Sequence, residues 1–179
     1  MEVALKAVVF YGSSLEYASD ELRNDKEVVL KAVTCYGLSL EYASDELRND
    51  KEVVLKAVSD RYGLTLKYAS DELRNDKDVV LKAVTCFGSH LEYASGEMKS
   101  DKEVVLTAVS DIYGLTLKYA SDELRNDKEV VLEAVTCYGS SPEYASGELR
   151  NDKEVVLKAV SDRYGLTLKY ASDELRNDK

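Results

Sequence analysis

The chain repeats itself at a nearly fixed interval, and that interval limits what it can fold into. The stretch Asn49-Asp50-Lys51-Glu52-Val53-Val54-Leu55-Lys56-Ala57-Val58 recurs from end to end. Its acidic residue falls at Glu2, Glu27, Glu52, Asp78, Glu103, Glu129 and Glu154, in steps of 25, 25, 26, 25, 26 and 25 residues. Self-similarity at such a period marks stacked units, none of which can bury its apolar face alone. The 179 residues therefore read as one continuous array, with units starting near 2, 27, 52, 78, 103, 129 and 154. Short units carry Cys35-Tyr36-Gly37. Long units insert one residue and read Ser59-Asp60-Arg61-Tyr62-Gly63. From the second unit onward short and long alternate, so the full period is a pair of 51 residues. Residues 52–77 and 154–179 are identical, which marks recent duplication or deliberate construction. The scattered departures His90, Gly96, Met98, Pro142 and Gly147 read as natural drift.

Within one unit the residues predict two short helices. Asn49 or Asp50 can cap a helix, and Asn49-x-x-Glu52 has capping-box spacing. The helix then runs through Val53, Val54, Leu55, Ala57 and Val58, with Lys51, Glu52 and Lys56 on its outer side. Its apolar arc is wide, as a helix flanked by neighbours on two sides requires. Gly63 is expected to close it in a left-handed backbone conformation. A second helix starts near Thr65, with Leu66, Ala69 and Leu73 at i, i+3 and i+7 on one face. Pro142 stands where Leu66 would be, and proline is tolerated at a helix start. Ser70-Asp71-Glu72 can cap and restart the chain as a separate turn. The sequence leaves open whether the second helix continues through Arg74 or breaks at Ser70. The fold class is thus all-α: a tandem-repeat solenoid of seven units of 25–26 residues.

Apolar residues make up 45% of the chain, enough for a core. The net charge of −10 is spread evenly, because nearly every unit repeats the same acidic and basic set. Phosphate contacts dominate nucleic-acid affinity, and no basic stripe exists to make them. Nucleic acid and anionic membrane surfaces are therefore not expected as partners. There is no run of 18 apolar residues and no signal segment with a basic start and apolar middle, so a soluble, cytoplasmic protein is expected. Cys35, Cys86 and Cys137 lie 51 residues apart at equivalent places. Units stacked at about 10 Å would hold them about 20 Å apart, beyond disulfide reach. They are expected as buried free thiols acting as small hydrophobes.

The pattern Leu-x-Tyr-Ala-Ser-x-x-Leu-Arg-x-Asp-x-Glu-Val-Val-Leu-x-Ala-Val, followed by glycine, resembles the helical repeat known as domain of unknown function 4116. Residues 40–58 carry it without a gap, and it extends over all seven units. Gly96, Met98, Lys99, Ser100 and Pro142 are the departures. The resemblance implies tandem arrays with no established activity and transfers no catalytic residue. In architecture the unit is also similar to leucine-rich-variant repeats, which pair an α-helix with a 3₁₀ helix.

Chemistry is sparse. His90 is the sole histidine and stands where other units carry Ser14 or Ser39; it is expected at an exposed or capping position. A metal site needs several ligands and a catalytic histidine an orienting partner, and neither is in view. The Asp-Glu-Leu-Arg-Asn-Asp-Lys-Glu run lacks the alternating ligands and the glycine of an EF-hand loop. No cofactor is implied, and the chain is not expected to be an enzyme. Two repeated features remain. Tyr42, Tyr68, Tyr93, Tyr119, Tyr144 and Tyr170 share one register and form a candidate binding stripe where exposed. Beside them, Glu41, Lys67, Glu92, Lys118, Glu143 and Lys169 alternate in sign, as a charge ladder favouring the 51-residue register. The chain opens inside a first helix at Val3 and stops at Asn177-Asp178-Lys179. The expected role is a scaffold for protein–protein interaction. The alternative is a structural protein that assembles head to tail into filaments through its uncapped terminal repeats.

Overall fold

A computed structural model of the chain describes residues 2–60, 63–111, 115–137, 141–161, 169, 171 and 173–176. Among these every regular element is helical. The chain forms two compact units, 1–95 and 96–179.

Each repeat is built from three helical pieces. In the third repeat they are a long α-helix, Lys51–Ala57, a 3₁₀ segment, Thr65–Tyr68, and a four-residue α-turn, Asp71–Arg74. The second repeat follows the same plan at Lys26–Cys35, Gly37–Tyr42 and Asp45–Arg48. The break that the sequence left open is therefore real. Ala69 turns the chain to an extended conformation, and the Ser70 hydroxyl restarts it by accepting from the Leu73 N–H at 3.2 Å. The same serine cap recurs at Ser44, Ser121 and Ser146. Glycine at the first position does not abolish the turn, because Gly96–Lys99 and Gly147–Arg150 form it too.

The long helices are capped by aspartate rather than asparagine. Asp50 Oδ1 accepts from the N–H groups of Glu52 and Val53, at 3.0 and 3.1 Å. Asp25, Asp76, Asp101 and Asp152 do the same work in their repeats. Asn49 instead closes the preceding short turn. The capping box predicted from Asn49 to Glu52 does not form, because one residue of the interval is spent on that turn.

In the first unit the long helices stack side by side in chain order, and so do the 3₁₀ segments. The helix of one repeat packs on its own 3₁₀ segment and on that of the repeat before. The second unit stacks its long helices Lys102–Val109, Lys128–Cys137 and Lys153–Val160 in the same way. Between the two layers lies the core. Val53, Val54, Ala57, Val58 and Leu66 are fully buried, with Ala69 and Leu73 nearly so. Backbone bonds tie repeat to repeat: Ser44 N–H donates to Arg23 O, Ser70 to Arg48 O, Ser95 to Arg74 O, Ser121 to Lys99 O and Ser146 to Arg125 O, all at 2.9–3.0 Å.

The glycines act through proximity. Gly12, Gly37 and Gly63 all lie outside the left-handed region, contrary to the expectation for Gly63. The long helix ends earlier, at Ala57. A Cβ on Gly37 would stand 2.5 Å from the Ala57 carbonyl oxygen and 2.7 Å from Asp60 Cβ. Gly37 N–H donates to Asp60 Oδ2 at 2.7 Å. Asp60 belongs to the residue pattern found only in long repeats, so this contact joins a short repeat to the long repeat after it. It gives the 51-residue period a physical basis in the first unit.

Three expectations about side-chain burial change. His90 is fully buried, with Ser39, Thr65 and Thr116 at the equivalent position of other repeats. That position faces the core because the 3₁₀ segment turns it towards the helix end: Thr65 Oγ1 reaches Ala57 O at 3.3 Å and Thr116 Oγ1 reaches Ala108 O at 3.0 Å. The cysteines are not buried. Cys35 is exposed and Cys86 and Cys137 are partly so, since they end the long helices beside exposed Thr34, Thr85 and Thr136. Leu55 is only half-buried, so the apolar arc of the long helix wraps round to its outer face.

Candidate functional site

Two repeated faces collect the side chains that could meet a partner. The first belongs to the 3₁₀ segments and carries the tyrosines. Tyr42, Tyr68, Tyr93, Tyr119 and Tyr144 are all half-buried, while Tyr170 lies outside the described residues. The ladder residues Glu41, Lys67, Lys118, Glu143 and Lys169 are exposed, and Glu92 is half-buried. The two sets meet. Lys67 Nζ sits 4.5 Å from the centre of the Tyr68 ring, and Lys118 Nζ 4.6 Å from that of Tyr119. Ammonium groups at this distance are drawn to the ring face. The Tyr68 hydroxyl titrates above its ordinary range, through burial first, with Glu41 of the preceding repeat adding to it and Lys67 opposing it. The Lys67 ammonium is held above its usual range, chiefly by bonding to Tyr68 and least by Glu41. The tyrosine thus stands between the two charges of the ladder. Tyr42 is raised as well, first by burial and then by Glu16 and Glu41.

The second face is formed by the long helices, and sequence reasoning missed its organisation. Leu30, Leu55, Leu81, Leu106 and Leu132 are each half-buried, and Leu157 is 56% exposed. Shallow open grooves run between neighbouring helices over these leucines. In the first unit a groove of about 930 Å³ is lined by Leu30, Thr34, Glu52, Leu55, Lys56 and Ser59, with Asp78 and Lys82 at its far side. In the second unit a groove of about 1050 Å³ runs over Leu132 and Leu157 between Glu129 and Glu133 on one side and Lys153, Glu154 and Lys158 on the other. The signal was present: Leu55 lies two residues before Ala57, yet Lys56 and Glu52 flank it on the helix surface.

At the rim of this face lies an ion-pair ladder different from the predicted one. At four of the helix starts the lysine after the capping aspartate reaches across to the next repeat. Lys26 Nζ lies 2.7 Å from Asp50 and 2.9 Å from Glu52, and Lys51 Nζ lies 2.8 Å from Asp76 and 2.9 Å from Asp78. Lys102 holds Asp127 and Glu129, and Lys128 holds Asp152 and Glu154, at 2.7–2.8 Å. These lysines are held above their usual range by bonding to the paired carboxylates. Asp50 and Asp76 are partly desolvated, yet their lysine and backbone donors hold them below the usual carboxylate range. One lysine thus restrains a cap and a first-turn acid together. Exposed pairs contribute little to bulk stability; these join one repeat to the next.

Among the described residues no three His, Cys, Asp or Glu side chains are placed to hold a metal ion, and no helix is long and apolar enough to cross a membrane. His90 Nδ1 accepts from Leu66 N–H at 3.4 Å, and Phe87 meets its ring edge-on at 6.5 Å. Burial alone lowers its pKa to about 4. It is a core residue, apart from both faces.

No curated protein and no solved structure matches the chain. The sequence profile described as "Domain of unknown function (DUF4116)" matches it repeatedly, over residues 1–48, 25–74, 50–86, 76–125, 111–141 and 127–176. These overlapping matches cover nearly the whole array of helix, 3₁₀ segment and short turn, and the chain belongs to the DUF4116 family.

Proposed function

We propose that this protein is a non-enzymatic scaffold that holds a protein partner along the outer face of its long helices. The row of half-exposed leucines supports this reading. Core leucines such as Leu40 and Leu66 are 0% exposed, whereas the row is left partly open at the same register in successive repeats. Within each compact unit, a row of apolar side chains at repeat spacing, flanked by charge, gives a binding strip. The tyrosine face is the weaker candidate, since its rings are half-covered and two are occupied by lysine.

The test is photo-crosslinking in an extract of the source cells, from a reactive residue at Leu55 or Leu132, with Asp71 as a control position on the short turns. A discrete protein captured from the leucine positions alone, and lost again in Leu55→Asp or Leu132→Asp, supports the scaffold. Equal capture from all three positions, or none from the leucines, refutes it.

A further inference from the structure

We propose that the groove over Leu132 and Leu157 docks a basic amphipathic helix, its apolar side on the leucines and its lysines or arginines against Glu129 and Glu133. This deepens the scaffold reading above and rests on it.

The argument comes from a local difference between near-identical repeats. Each step of the lysine ladder can be taken with the residue four positions after the first-turn acid, which lies on the same helix face. In the first unit Lys26, Asp50, Glu52 and Lys56 give two positive and two negative charges, and Lys51, Asp76, Asp78 and Lys82 do the same. Both steps are neutral. In the second unit the step Lys102, Asp127, Glu129 and Glu133 sets three carboxylates against one ammonium. Lysine has been exchanged for glutamate at position 133 while the leucine beneath it is kept. The preceding repeat loses its lysine at the same place, where Thr107 stands.

The exchanged residue stands at the groove wall. Glu133 and Glu129 both line the groove, and Ser110 Oγ lies 3.0 Å from Glu133 Oε1, its single proton shared with Leu106 O at 2.9 Å. Cys137 also lies against Glu133, and its thiol is pushed up by burial and by that carboxylate. The floor is apolar, with Leu132 half-buried and Leu157 exposed. The facing wall carries Lys153, Glu154 and Lys158, and Glu129 already meets Lys102. The excess acid is therefore that of Glu133 on one wall, and that wall is complementary to a helix that carries apolar anchors one or two turns apart and a basic flank on one side. The neutral steps of the first unit offer the same floor without that charge preference, so the second unit is where such a helix selects its place.

The probe is a synthetic peptide of about four helical turns with leucines at i, i+4 and i+7 and lysines flanking them. A scrambled peptide of equal charge and a version with glutamate for lysine are the controls. Binding to the full chain is read by fluorescence anisotropy at physiological salt. Site-selective binding of the basic amphipathic peptide is expected, with the controls weaker by about tenfold or more. Glu133→Lys places at 133 the residue already present at 56, 82 and 158, so folding is preserved, and it should weaken binding by a similar factor. Lys56→Glu should create a second site of the same kind and raise the stoichiometry from one to two. Equal binding of the scrambled peptide would reduce the effect to attraction by the net charge and overturn the proposal. So would Glu133→Lys without effect, Lys56→Glu without a second site, or no binding at all. If these fail while Leu132 still crosslinks a discrete partner, the scaffold stands and only the basic-helix assignment falls.

Discussion

His90 gives this fold a defined acid sensitivity. The ring is fully buried, has no charged partner behind its lowered pKa, and accepts a backbone hydrogen bond through Nδ1. Protonation would remove that acceptor and place a charge in the core. The unfolded chain takes up the proton near pH 6.5, and the folded chain holds it off until about pH 4. Between those values the unfolded state binds more protons, so stability rises with pH. The contribution of neutral His90 is complete above pH 6.5 and is lost as pH falls towards 4. At 1.36 kcal/mol per pH unit the full interval is worth about 3 kcal/mol, of which about 2 kcal/mol is lost by pH 5. The perturbation is His90→Ser, the residue found at position 39. It costs stability at every pH by leaving space and an unpaired Leu66 N–H. The carboxylates titrate alike in both proteins, so the difference between pH 8 and pH 5 isolates the histidine. Urea unfolding followed by circular dichroism should show a pH 8-to-5 loss about 2 kcal/mol smaller in the variant. Because the chain has one histidine, an NMR titration of its ring reads the pKa directly. A midpoint near 6.5, or equal pH dependence in the two proteins, would refute the reasoning.

Gly37→Ala should lower stability by about 1–3 kcal/mol in urea unfolding, since its Cβ would meet the Ala57 carbonyl at 2.5 Å, whereas Gly96→Asp, with open space around it and aspartate at that place in other repeats, should stay within about 0.5 kcal/mol of the parent; a neutral Gly37→Ala would disprove the close-approach argument. Replacing Lys67, Lys118 and Lys169 together by glutamate should depress the Tm in low salt and do so less in high salt. The same salt-dependent direction is expected for Lys51→Ala, which releases Asp76 and Asp78, and a Tm change indifferent to salt would remove the electrostatic role assigned to each ladder.

Residue period determined the array, the class of its elements and the core leucines, because a 25–26-residue repeat with apolar residues at helical spacing has few ways to bury them. Leu66, Ala69 and Leu73 read correctly as buried, although the break at Ala69 and Ser70 spreads them over successive pieces and not over one helical face, and the serine that restarts the chain at position 70 was recognisable from its chemistry. The family was legible too, since the motif spans most of a unit. What the sequence could not settle depends on the neighbouring repeat. Asn49 and Asp50 are both good caps, and only the packed short turn ahead of them assigns one to each helix. Gly37 looks like a helix terminator, but its reason is the Ala57 carbonyl of the next repeat. His90 and Cys35 exchanged their expected environments because the 3₁₀ segment turns position 90 inward and the long helix leaves its last residue outward. The outer leucines are indistinguishable from core leucines along the chain. Stacking covers one side of each long helix and leaves the other open, and that division of a wide apolar arc into a packed side and a free side exists only in the tertiary structure.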